Sequence, residues 1–170
     1  KMTHGNVDTS WHVAILTAFT TFMVMTTIKN SGIVYVGLVE EFNVNRQRAA
    51  WPISIQAASI HISAFAVGIL QRRLSIIQIG YIGSVLVWSG LIASAFAPNL
   101  VVMSLTYGLV HGSGVGIIVI TLVVVILCNF DKYRGTASGI RYIGEIASIV
   151  VFPKLLVYLR NVFKFRGMLL

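Results

Sequence analysis

Residues 100–127 read LVVMSLTYGLVHGSGVGIIVITLVVVIL and contain no Asp, Glu, Lys or Arg. A helix that crosses the hydrocarbon core of a bilayer needs about 20 predominantly apolar residues. An uncharged apolar run of this length is typical of a transmembrane helix, because the strands and amphipathic helices of soluble domains divide their apolar residues into shorter groups. This stretch decides the fold class, which we predict to be an all-α integral membrane protein.

The composition of the whole chain agrees with a polytopic membrane protein. Of the 170 residues, 56% are hydrophobic and 11% are charged, whereas about 25% of residues in soluble domains are charged. The net charge is +8, but the basic residues mostly flank apolar runs, where they can anchor to lipid headgroups, so we expect no nucleic-acid partner. With one cysteine, Cys128, and five acidic residues, we expect no disulfide, metal site, cofactor or enzyme activity.

Further apolar runs divide the chain into successive spans. The predicted spans are residues 11–39, 49–71, 76–96, 100–127 and 136–158, with a sixth that begins near residue 166. Residues 1–10 are a predicted cytoplasmic segment, and we expect the sequence to be incomplete at its C-terminus. The first run is longer than a straight span requires, and its polar stretch Lys29-Asn30-Ser31-Gly32 predicts a bend or an unwound turn.

Small residues mark a predicted packing surface on the fourth span. Ser104, Gly108, Gly112 and Gly116 recur every four residues, which places them on one helix face and lets a neighbouring backbone approach closely. His111 lies beside this stripe, and we expect it to be structural.

Ionisable side chains inside predicted spans are candidate functional residues, because a charge at the centre of a membrane helix costs about 2.5–3.5 kcal/mol and usually faces a cavity or a partner. Lys29 has two interpretations. It binds an anionic substrate or a carboxylate counter-ion, or its side chain extends to the membrane–water interface. Arg141 and Glu145 are four residues apart and close enough to pair, with Ser138 on the same face. They form either a structural ion pair or a cavity wall that exchanges partners with substrate or proton.

The second span carries two polar stripes. Gln56, Ser59 and Ser63 share one helix face, while Ser54 and His61 lie on roughly the opposite face. His61 either hydrogen-bonds within the bundle or carries a proton, since an unperturbed histidine titrates near pH 6.5.

Five motifs, in order from Asp8 to Gly167, resemble the monocarboxylate transporter family of the major facilitator superfamily. Asp8-Thr9-Ser10-Trp11 is similar to the family's D-G-G-W, Lys29 matches its first-helix lysine, and Trp51-Pro52-Ile53-Ser54 resembles its W-I-S-S. Residues 130–144 resemble its Y-F-x-K-R-R-x-x-A-x-G-L-A-x-x-G signature, and Phe165-Arg166-Gly167 resembles its W-R-G.

The resemblance implies a major-facilitator-type helix bundle: five transmembrane helices and the start of a sixth, forming the N-terminal half of a twelve-helix protein. It implies secondary active or facilitative transport of small organic anions, monocarboxylates such as lactate or pyruvate, together with a proton, by alternating access in the plasma membrane. A single-span ancillary subunit is a candidate partner.

The resemblance and the polar positions together give a set of candidate residues. Those expected to bind substrate are Lys29, Asn30, Gln56, Ser138, Arg141 and Glu145. Those expected to be linked to the proton are His61 and Glu145, and those in gating loops are Arg72, Arg73, Lys132 and Arg134.

Departures from the family pattern keep other functions open. Arg141 and Glu145 replace small residues, which would make the cavity more polar and leaves aromatic or other organic acids as alternative substrates. A non-transporting membrane scaffold or a truncated regulatory half-transporter is the alternative from another functional class.

Overall fold

The computed structural model describes residues 8–169, and these residues are almost entirely helical. The elements are α1 (Trp11–Val24), α2 (Thr26–Lys29), α3 (Ser31–Phe42), α4 (Arg46–Ala49), α5 (Trp51–Leu70), α6 (Ile76–Ala95), α7 (Leu100–Met103), the π-helical segment Ser104–His111, α8 (Gly112–Asn129) and α9 (Arg134–Met168). No strand occurs between residues 8 and 169, which confirms the all-α class. Most of the predicted cytoplasmic segment, residues 1–7, lies outside the described residues.

Four helical stretches in the described part of the chain are long and apolar enough to cross a membrane. They are Arg46–Leu70, Ile76–Ala95, Leu100–Asn129 and Arg134–Met168. The first predicted span is instead covered by α1, α2 and α3, of which α1 is apolar but shorter than a span requires.

The first run of helix is interrupted within its polar stretch. α2 ends at Lys29, and Asn30 has the non-helical backbone angles φ −105° and ψ 25°. The Asn30 side chain is 5% exposed and donates from Nδ2 to the Thr26 carbonyl at 2.9 Å. The Thr26 carbonyl also accepts from the Asn30 backbone N–H at 3.1 Å, so the side chain is its second donor. The predicted bend is confirmed.

α9 extends beyond residue 158, where we predicted that the fifth span ends. It stays helical to Phe163, and the break lies at Lys164, which has φ 60° and ψ −176°. Arg160 pairs with Glu40 of α3, and Arg166 Nε lies 2.7 Å from Glu41 Oε1. These two contacts tie the basic segment to α3. Residue 166, where we predicted that a sixth span begins, lies in the last turn of α9.

The small-residue stripe of the fourth span is a packing surface, as predicted. A Cβ added to Gly112 would lie 3.0 Å from the Gln56 carbonyl oxygen, and one added to Gly116 would overlap Ser63 and Ile60 of α5. On the other side of α8, a Cβ on Gly114 would come within 2.7 Å of the Val87 backbone nitrogen of α6. α8 is therefore the central helix, in close backbone contact with both α5 and α6.

Gly116→Ala tests this packing. Because the added methyl group overlaps the Ile60 carbonyl, we expect the free energy of unfolding to fall by about 1–3 kcal/mol, measured as thermal unfolding of the detergent-solubilised protein. Gly139→Ala is the matched control, since a Cβ there meets open space and alanine favours helix. Equal losses in the two variants would contradict the packing role.

Candidate functional site

Lys29 and Glu145 contact each other near the middle of the bundle. Lys29 Nζ lies 2.6 Å from Glu145 Oε1, and the side chains are 34% and 19% exposed. Glu145 lies about 17 Å along α9 from Arg134, and Lys29 about 27 Å along the chain of helices from Trp11. An ammonium and a carboxylate at this distance form a charge-assisted hydrogen bond, in which each group neutralises the charge of the other.

Glu145 pairs with Lys29 instead of with Arg141, which corrects the local pairing that the four-residue spacing predicted. Arg141 is 5% exposed and belongs to the buried face of α9. Its guanidinium carbon lies 4.4 Å from the centroid of the Tyr142 ring. Its Nε has no hydrogen-bond partner among the residues the structure describes. The stacking contact directs the guanidinium to a ring instead of to the carboxylate one turn further along.

The π-helical segment holds α2 through Thr27. The Tyr107 hydroxyl donates to the Thr27 carbonyl at 3.3 Å, and His111 Nε2 lies 2.9 Å from Thr27 Oγ1. His111 Nδ1 lies 3.3 Å from the Val87 carbonyl. Since a carbonyl only accepts, we assign the proton of the neutral ring to Nδ1, and Nε2 accepts the Thr27 hydroxyl. These contacts fix the helix two residues before Lys29.

Sequence reasoning missed Thr27 and Tyr107 as parts of this site. The Tyr107 and His111 rings stack with their centroids 5.3 Å apart, and both side chains are buried. A tyrosine and a histidine one turn apart in an apolar span is a signal for a buried polar cluster. The partner on α2 is about 80 residues away in the chain, so no local pattern identifies it.

The two polar stripes of α5 are confirmed. Gln56, Ser59 and Ser63 are buried, whereas Ser54 and His61 are exposed. Gln56 Nε2 has no hydrogen-bond partner within residues 8–169, and His61 Nδ1 lies 2.7 Å from the carbonyl of Ala57 on its own helix. The roles of Gln56 and His61 in binding and proton transfer remain predictions, as does that of Ser138, which is half-buried on α9.

A cavity of about 460 Å³ lies beside α2. Its lining is mainly apolar and comes from α1, α6, α8 and α9, with Thr27 and His111 among the polar groups. Lys29 and Glu145 are not part of this lining, so the ion pair and the cavity are neighbouring but separate features.

Asp8 joins the start of α1 to the loop before α9. The backbone N–H groups of Asp131 and Tyr133 donate to Asp8 Oδ1 at 2.9 and 3.2 Å, and that of Lys132 donates to Oδ2 at 3.2 Å. The Asp8 N–H donates to the Asn129 carbonyl at 3.0 Å. The first and fourth sequence motifs therefore meet at one end of the bundle.

The predicted gating residues lie at the surface. Arg134 Nε donates to the Phe130 carbonyl at 2.8 Å, and Arg134 Nη2 lies 3.1 Å from Asp131 Oδ1. Arg72 and Arg73 are exposed in the turn between α5 and α6. Their part in gating stays a prediction.

The apolar spanning helices define an integral, multi-pass membrane protein. Its sequence relatives are monocarboxylate transporters, as the motifs predict. Monocarboxylate transporter 9 of Gallus gallus is 26% identical over 145 residues, which are 85% of this chain and 29% of that protein. Monocarboxylate transporter 14 of Homo sapiens is 26% identical over 169 residues, 98% of this chain and 33% of that protein.

A third relative is also a monocarboxylate transporter. Monocarboxylate transporter 11 of Mus musculus is 31% identical over 144 residues, 84% of this chain and 32% of that protein. The chain thus spans about a third of the length of these curated relatives. No family model matches the sequence.

A double-mutant cycle on Lys29→Met and Glu145→Met tests the central ion pair. Each single change leaves one charge unpaired, so we expect a coupling free energy of about 0.5–3 kcal/mol in unfolding experiments. The control cycle uses the exposed pair Asp131 and Arg134, for which we expect no more than about 1 kcal/mol. Coupling between Lys29 and Glu145 no larger than in the control would contradict a stabilising central contact.

Asp8→Asn tests the contact at the end of the bundle. Partial loss of hydration raises the pKa of Asp8, but the N–H donors of Asp131, Tyr133 and Lys132 and the Lys132 charge outweigh it, so the pKa lies below its usual value. The ionised form therefore stabilises the fold above the pKa of the unfolded chain, and this stability is lost as the pH falls through the lowered folded pKa.

We accordingly expect the wild type to unfold at a higher temperature than Asp8→Asn at pH 7, and the difference to shrink as the pH falls below about 4. Asp131→Asn, which removes an exposed carboxylate from the same loop, is the control. A difference that does not depend on pH would count against this contact.

Proposed function

We propose that this chain contributes the substrate-binding helices of a transporter for small organic anions, monocarboxylates such as lactate or pyruvate, in the plasma membrane. The observation that carries the proposal is the contact of Lys29 with a carboxylate at 2.6 Å. An ammonium that binds a carboxylate of the protein has the charge to bind the carboxylate of a substrate in its place. The relatives support it, since all those named above are monocarboxylate transporters.

The broken helix supports an alternating-access mechanism. Secondary transporters commonly bind substrate near the bilayer midplane beside discontinuous helices, and Lys29 precedes the interruption at Asn30. In the proposed mechanism this bundle is the N-terminal half of a twelve-helix protein of the major facilitator type, with its N-terminus in the cytoplasm. The two halves rock about the site and carry the anion with a proton.

The remaining candidate residues have assigned parts in this mechanism. Asn30, Gln56, Ser138 and Arg141 contribute polar groups to the substrate cavity, and His61 or Glu145 exchanges the proton. The loops that carry Arg72, Arg73, Lys132 and Arg134 take part in gating. A single-span ancillary subunit is a candidate partner.

Uptake into vesicles tests the transport function. The full-length protein is reconstituted in liposomes and offered labelled lactate, pyruvate and a panel of aromatic acids, with the outside more acidic than the inside. We expect saturable uptake of at least one monocarboxylate, stimulated by the pH gradient. Lys29→Gln should lower it about tenfold or more, because a charge-assisted hydrogen bond to the anion is lost.

Lys154→Gln is the matched control, since Lys154 is an exposed lysine of α9, and we expect wild-type uptake. Saturable uptake of aromatic acids alone would replace the proposed substrate class. Wild-type vesicles that take up none of these anions would favour the non-transporting scaffold.

A further inference from the structure

The contact between Lys29 and Glu145 imposes a condition on any anion that binds at Lys29. The Lys29 ammonium is already occupied by the Glu145 carboxylate. A second carboxylate at the same ammonium would place two negative charges within a few ångströms of each other, and one of them is then strongly driven to bind a proton. A substrate carboxylate can therefore take this place only if Glu145 leaves or is neutralised.

Ionisable side chains occur on each of the elements that pack against α9, which are α1, α2, α3, α6 and α8. On α3, Glu40 pairs with Arg160, Glu41 pairs with Arg166, and the Tyr35 hydroxyl donates to the Arg46 carbonyl. On the other elements they are Lys29 of α2, His12 in the first turn of α1, Cys128 in the last turn of α8 and the exposed Tyr81 of α6.

His12 and Cys128 lie near the Asp8 end of the bundle, about 17 Å or more along the helices from the level of Glu145. Two titratable side chains contact Thr27 of α2. His111 uses both ring nitrogens, for Thr27 and Val87, and the Tyr107 hydroxyl donates to the Thr27 carbonyl. On α9 itself, Arg141 is a permanent cation and cannot change its charge when an anion arrives. Glu145 is the group in contact with Lys29 that can lose its own charge.

We propose that Glu145 is the internal counter-ion of Lys29 in the empty site and the proton acceptor when substrate binds. The substrate carboxylate displaces the Glu145 carboxylate from Lys29, and a Glu145 oxygen forms one O–H bond with a proton from hydronium of the bulk solution, which leaves as water. This inference rests on the proposed function. Of the two proton-exchanging candidates named there, it assigns the coupling to Glu145, which contacts Lys29, instead of to His61, whose Nδ1 lies 2.7 Å from the carbonyl of Ala57 on its own helix.

The charges balance in both states of the site. The empty site holds one ammonium and one carboxylate, and the loaded site holds the ammonium, the substrate carboxylate and a neutral carboxylic acid. The net charge of these groups is zero in each case. Since moving a net charge through the membrane is costly, neutrality lets both forms change their orientation, with one proton carried for each anion.

Binding measurements on the full-length protein test the role of Glu145. The apparent dissociation constant of labelled lactate or pyruvate is measured in detergent between pH 5.5 and 8. For the wild type we expect the apparent dissociation constant to rise about tenfold per pH unit, because each anion binds with one proton. For Glu145→Gln we expect no pH dependence and, at pH 8, binding at least about tenfold tighter, since the competing carboxylate is gone.

Two further variants serve as a second replacement of Glu145 and as a control carboxylate. Glu145→Ser restores a small side chain and should behave as Glu145→Gln, so that poor folding of one variant leaves the other. Glu40→Gln, which removes a carboxylate at the end of α3, should keep the wild-type pH dependence.

The inference would be overturned if the apparent dissociation constant kept its wild-type pH dependence in both Glu145 variants. It would also be overturned if His111→Asn were the variant that lost this pH dependence and the Glu145 variants kept it. A wild-type affinity that does not change with pH would also overturn it, since Glu145 would then yield to the anion without a proton. In each of these cases the anion still binds, and the proposed function stands. A wild-type protein that neither binds nor takes up any monocarboxylate contradicts the proposed function instead.

Discussion

A bilayer offers no water to groups in its core, so every charge and every free backbone group there needs a partner within the protein. The helices before residue 42 depend on this constraint most, because their run is interrupted at Asn30 and carries an ammonium at Lys29. The ammonium is neutralised by Glu145, and the Asn30 amide donates to the carbonyl of Thr26. At this interruption, side chains supply the partner of the charge and a second donor to the Thr26 carbonyl.

Polar contacts join the interrupted helices α1, α2 and α3 to α9 along their length. Asp8 binds the loop before α9, Lys29 pairs with Glu145 in the middle, and Glu40 and Glu41 pair with arginines at the far end of α9. Exposed pairs contribute little to stability because water and salt screen them. The central pair is less exposed than these pairs, so we expect it to contribute most to the register between the two elements.

Local patterns in the sequence predicted the features that depend on local geometry. Apolar runs predicted the helices, the four-residue stripe predicted that a neighbouring backbone approaches this helix closely, and the polar stretch predicted the interruption at Asn30. The same local reasoning paired Arg141 with Glu145, because spacing along one helix contains no information about α2. The contacts of Thr27 with Tyr107 and His111, and the continuation of α9 beyond residue 158, also come from tertiary contacts. Which charged side chains pair in a bundle depends on how its helices pack against one another.

Sequence motifs therefore relate this chain to a family, whereas the partners of its charged side chains come from contacts between helices. Identity of 24–31% with monocarboxylate transporters is a similarity of sequence, and Lys29 resembles the family's first-helix lysine. Glu145 stands where the family pattern has a small residue, and it makes Lys29 part of a neutral pair. In the proposed mechanism, a lone cation would attract an anion by its charge, whereas a neutral pair must exchange one carboxylate for another. The affinity of the proposed site for its anion then depends on what happens to the displaced carboxylate.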